Sequence, residues 1–257
     1  NGKNVPDHEK VRVLARILGF PYDYFFQEDK IKAYTETTYF RSQATATKKD
    51  RAAQSVKLEF VAQMYETLWN YIDFPIYKDP KIDFIGFDDP LDCESQEAID
   101  EMEIAASKVR ECWGVPSGPI KDLQYLLEQN GILVTGFSID EDKIDAFSQR
   151  TIVNNADVFL IAVALGSRPE CRLRFDMAHE LGHIILHERY SDLNEIDREE
   201  FRERENEANA FAAALLLPAT AFGADARQEN VRQICLQVHF CYREIAFLRM
   251  YHNILQI

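Results

Sequence analysis

Cysteine is scarce in this chain of 257 residues: there are five, at Cys93, Cys112, Cys171, Cys235 and Cys241, and no C-x-x-C pair. An odd number without paired spacing excludes a disulfide-framework domain and argues for reduced thiols. Ten glycines and nine prolines are too few for a collagen-like or low-complexity chain. No apolar run approaches the roughly 18 residues of a membrane-spanning helix, so no membrane association is expected. No secretory signal opens the chain either, and the expected location is the cytoplasm. Basic residues are the last shortage, with Lys and Arg totalling 29 against 43 Asp and Glu and a formal net charge of −14. That sign excludes a protein whose main surface grips phosphate backbones.

What is present is ordinary globular material, 46% hydrophobic and 28% charged. A helix-like run from Glu9 to Leu18 stops at Gly19, too little to bury a core alone. A longer pattern from about Lys48 to Tyr71 spaces Val56, Phe60, Met64, Leu68 and Tyr71 three and four apart and reads as an amphipathic helix ending near Pro75. Between Asp79 and Glu103 stand ten acidic residues and one lysine, a solvated connector that passes into a helix ending near Trp113-Gly114. A further helix, Ile120 to Gln129, closes at Asn130-Gly131, and strand-like runs follow at 132–135, 145–148 and 158–164. Helix, three strands, then helices describe an α+β domain. The expected division is an α-helical region at 1–90 followed by a second domain at 91–257.

Within that second domain His179-Glu180-Leu181-Gly182-His183 is an H-E-x-x-H element. On a helix, residues four apart stand on one face about 6 Å along the axis, so two imidazoles can converge on one ion at roughly 2.0–2.1 Å. Glu180 lies about 100° round from His179, where a general base for an attacking water belongs. Chance placement of such an element in this composition is roughly 0.02 occurrences per chain. Met177, Ala178, Leu181, Ile184, Ile185 and Leu186 make the surrounding helix largely buried, and burying two histidines and a glutamate there without a ligand is costly.

A catalytic zinc site needs a third protein ligand and an open position. The run Arg204 to Leu217, rich in alanine and ended by Pro218, reads as a helix able to approach closely. Glu207 shares a face with Phe211, Ala214 and Leu215 and is the expected third ligand, while Glu203 and Glu205 fit the polar first turns. His187 is the rival, but eight residues past His179 it stands about 80° off the pair, which suits a place behind the ligands or on the surface. Tyr190 and His239 are weak candidates for stabilising an oxyanion, and Cys235, His239 and Cys241 make a poor second metal site.

Phe175 to His187 together with Glu207 to Pro218, and the lead-in Trp113 to Ile120 with Leu127 to Ile132, resemble the ImmA/IrrE family of zinc metallopeptidases over about Asp92 to Pro218. The resemblance implies that His179, His183 and Glu207 hold Zn²⁺, that Glu180 is the catalytic base, and that the fold is a small gluzincin-like zinc peptidase domain, a short sheet plus the H-E-x-x-H helix. It implies a zinc-dependent endopeptidase that cleaves a helix-turn-helix repressor and so releases stress-response, prophage or mobile-element genes. One branch of the family carries its own helix-turn-helix. Val5 to Phe26 resembles the tail of such a module and Phe40-Arg41-Ser42 the junction after it, so DNA contact is expected only through a module preceding Asn1. Asn230 to Ile257 resembles the family's C-terminal helical pair. The alternative is a transcriptional regulator that keeps the peptidase-like domain as a sensor or dimerisation module, a homodimer being compatible with either reading.

Overall fold

The computed structural model describes residues 6–26, 37–40, 48–82, 96–115, 118–138, 145–166, 169–187 and 198–219. Tyr190, Cys235, His239, Cys241 and the 230–257 pair lie outside them. The chain divides into two compact units, Asn1–Lys32 and Ala33–Ile257. In the first, helix α1 (His8–Leu18) is capped by the Asp7 carboxylate, which accepts from the Lys10 N–H at 2.9 Å, and ends at Gly19 with φ 71°. That left-handed cap is the one the sequence signals, because glycine takes it without a Cβ clash. A 3-10 turn at Tyr22–Phe26 follows, and Val11 and Ala15 are the buried apolar residues of α1.

The second unit is α+β. Among the described residues its sheet has four strands in the order β1-β3-β4-β2: β1 (Thr37–Phe40), β2 (Ile132–Ser138), β3 (Ala146–Val153) and β4 (Ala156–Leu165). The sequence reading anticipates the last three, though shorter, and has no strand at 37–40. β3 and β4 form a hairpin whose two-residue turn is Asn154-Asn155, at φ 51° and 61°. Asparagine tolerates this conformation, and the turn's twist matches that of the strands it joins. β2 pairs with β4 in parallel, and β1 pairs with β3 antiparallel, Tyr39 opposite Ser148.

The apolar run in β4 is explained by burial on both faces. Phe159, Ile161 and Val163 enter a core shared with the helices α3 (Gln96–Cys112), α4 (Leu123–Gln129), α5 (Glu170–Leu186) and α6 (Arg198–Leu216). Leu160, Ala162 and Ala164 face the other way, into a cluster with Leu58 and Tyr65 of α2 (Lys48–Trp69). The period of two along a strand sorts alternate residues between the two layers. So α2, which the sequence groups with 1–90, contributes to the core of the second unit.

The structure also reverses the expected face of α2. Leu58, Ala62 and Tyr65 are buried, whereas Val56, Phe60, Met64, Leu68 and Tyr71 are exposed, Tyr71 to 82%. The helix carries apolar side chains on two sides, and periodicity cannot tell which one meets a sheet assembled from residues some 80 positions later. The acidic connector becomes helix α3 from Gln96 onward, with Ala98, Met102, Ala105 and Ala106 turned to the core. Arg110 of α3 is buried and donates to the Leu215 carbonyl at 2.7 Å and to the Gly118 carbonyl, placing a cation at the C-terminal end of α6, where the helix dipole favours it. Among the described residues no helix is long and apolar enough to cross a membrane.

Candidate active site

The site lies where α5 and α6 press together beneath β3. α5 starts after Pro169, and Arg172 in its first turn pairs with Asp145 at 2.8 Å and with the fully buried Asp176 at 3.0 Å, which ties the helix to the start of β3. Four residues on from Ala178, Gly182 lets α6 come close: a Cβ there would stand 3.1 Å from the Ala208 Cα and 3.2 Å from the Phe211 ring. The small-residue seam anticipated from the alanines is therefore a backbone-to-backbone contact. Gly182→Ala gains about 1 kcal/mol of intrinsic helix propensity but pushes on α6 backbone that cannot fold away. We expect the variant to bind metal more weakly than the parent while its metal-free melting temperature changes little, as chelator competition and a thermal melt would record.

Metal-ligating groups meet at this seam. His179 and His183 are buried with their Nε2 atoms 3.0 Å apart, close to the roughly 3.3 Å expected for two ligands of one tetrahedral ion. The Glu205 carboxylate faces both, 3.3 Å from His183 Nε2 and 3.6 Å from His179 Nε2. Ligand atoms of the three residues all lie within 4.8 Å of one another, and among the described residues no other group of three does so. Two imidazoles and one carboxylate are a donor set for a single divalent ion.

The third position departs from the sequence reading. Glu207 is turned to His187, its Oε2 2.8 Å from His187 Nε2, and takes no place beside the histidine pair. α6 begins at Arg198, two turns before Glu205, so Glu205 is not a solvated first-turn residue. It stands on the strip with Ala208, Asn209 and Ala212 that follows α5. Its side chain keeps 17% exposure against 6% for Glu207, as a group beside an open position must. The signal that would have found it is Asn209, one turn further along the same face, whose Oδ1 is 3.0 Å from His179 Nδ1.

His187 is not at the surface. It caps α5, is 2% exposed, and its Nδ1 lies 3.0 Å from His183 Nδ1. Burial first, then the neighbouring His183, Arg204 and His179, hold its imidazole well below the usual histidine range. Burial likewise pushes the Glu207 carboxyl up to about 7, with Arg204 opposing and Glu203 adding to the rise.

Glu180 is fully buried on the flank of the pair, and Ser148 Oγ donates to its Oε2 at 2.7 Å. Nothing in the sequence singles out Ser148, because its importance arises only when β3 is laid across α5. Residues 128–234 match the family model of the IrrE N-terminal-like domain, Peptidase_M78. Over those residues the chain is similar to that peptidase family. No curated protein matches the chain. The matched segment runs from the last turn of α4 through the sheet strands β2, β3 and β4 to α6 and beyond, and so contains every residue of the constellation. α2 and α3, which complete its core, precede the match.

Proposed function

We propose that the chain is a zinc-dependent endopeptidase of regulatory proteins, with His179, His183 and Glu205 holding the ion and Glu180 acting as the base. The observation that carries this reading is the convergence of two Nε2 atoms and a partly buried carboxylate beside a buried glutamate that is not among the ligands. Zinc, when bound there, supplies Lewis acidity to the scissile carbonyl and to the attacking water. Glu180 takes the proton of that water and returns it to the leaving amine. Ser148 holds one carboxylate oxygen of Glu180, which fixes the direction of the other. A binding-only metal site has no need of such a base.

The substrate in this reading is a helix-turn-helix repressor, cut in a flexible linker, with release of stress-response, prophage or mobile-element genes. The net charge of −14 suits an encounter with a basic DNA-binding domain and not with DNA itself. The test combines zinc-loaded protein with the repressor encoded beside it and maps products by mass spectrometry. Cleavage at one or a few linker sites is expected, and none with Glu180→Gln. Indiscriminate digestion of unfolded proteins, or release of the repressor from DNA by both enzymes alike, would refute it in favour of a regulator without catalysis.

A further inference from the structure

His187 and Glu207 are buried, polar and left without a task by the chemistry above. Both lie on the far side of His183 from the ligand cluster. His183 turns Nε2 towards His179 and Glu205, and Nδ1 towards His187 Nδ1 at 3.0 Å, while the other nitrogen of His187 is 2.8 Å from Glu207 Oε2. Two ring nitrogens at 3.0 Å in a buried site must have one proton between them, since two protons or two lone pairs would repel. If His183 gives the Nε2 lone pair to a metal, its proton sits on Nδ1 and is donated to His187. The His187 proton is then on Nε2 and is donated to Glu207. Every tautomer in the row follows from the first.

We propose that His187 and Glu207 are positioning residues, a hydrogen-bonded relay from a carboxylate through a second imidazole that fixes the tautomer and ring plane of His183. The inference rests on the assignment of His179, His183 and Glu205 as the metal-holding set. His179 meets the Asn209 Oδ1 at its Nδ1, so the two histidines are supported by different devices. A carboxylate acting through hydrogen bonds makes a ligating imidazole a better donor, and removal of such a partner costs about 10–100-fold in metal affinity. Glu207 reaches His183 only through His187, so the two residues form one unit and their losses should not add.

The test is Zn²⁺ affinity by chelator competition and the visible spectrum of the Co²⁺-loaded protein, with the metal-free melting temperature measured in parallel. His187→Leu and Glu207→Ala should each weaken Zn²⁺ about 10–100-fold, and the double variant no more than the worse of the two. His187→Gln, whose amide can accept from one side and donate to the other, should recover most of the affinity and the parental Co²⁺ bands. Recovery by glutamine is the readout that a packing role would not give. If all variants bind Zn²⁺ within twofold of the parent, or the losses follow the melting temperature and glutamine restores nothing, the relay is refuted while the metal set stands. If Glu205→Gln leaves metal binding intact and His187→Leu abolishes it, the metal set itself is wrong.

Discussion

Glu180→Gln should lower peptide hydrolysis by about 10²–10⁴-fold, the usual contribution of a positioned acid–base group, with metal content and melting temperature unchanged. The amide has the shape of the carboxylate, and its oxygen can still accept from Ser148 Oγ, which now stands 2.7 Å from Oε2. What it cannot do is take a proton. Because Glu180 is fully buried, removing its charge does not uncover a surface interaction that would confuse the result. The measurement is kcat on a peptide carrying the repressor linker, with metal per chain determined on the same samples. Activity within tenfold of the parent would show that another group accepts the proton. Loss of metal along with activity would show Glu180 to be a ligand.

The second large effect separates two glutamates only two residues apart. Glu205→Gln should weaken Zn²⁺ by more than the roughly 10–100-fold that removal of a group behind the ligands costs, because a charged donor 3.3 Å from His183 Nε2 is lost from the ion's own surroundings. Glu207→Gln should cost less, since its amide oxygen can still accept from His187 across the 2.8 Å contact. Chelator competition on both variants decides the order. The reverse order would restore Glu207 to the place that the helical face had suggested and remove Glu205 from the set.

The part of the site that is local to one helix is legible from the order of residues alone. His179, Glu180 and His183 have their relation from the 3.6-residue turn, so the pair and its flanking acid were readable without any knowledge of the fold. The β3–β4 hairpin is local too, with Asn154-Asn155 as its turn signal. The two-sided burial of β4 was visible as an unbroken apolar run. The remainder depends on how distant elements pack. Glu205 and Glu207 differ by about 200° around α6, both point at protein, and only the docking of Ala208 against Gly182 turns one to the metal-ligating cluster and the other to His187. Ser148 meets Glu180 across 32 residues of chain, and Leu58 rather than Phe60 faces the sheet because the sheet forms on that side. Helical and strand periods rank the faces of one element. Which face is used depends on a partner elsewhere in the chain, and that choice is made by packing.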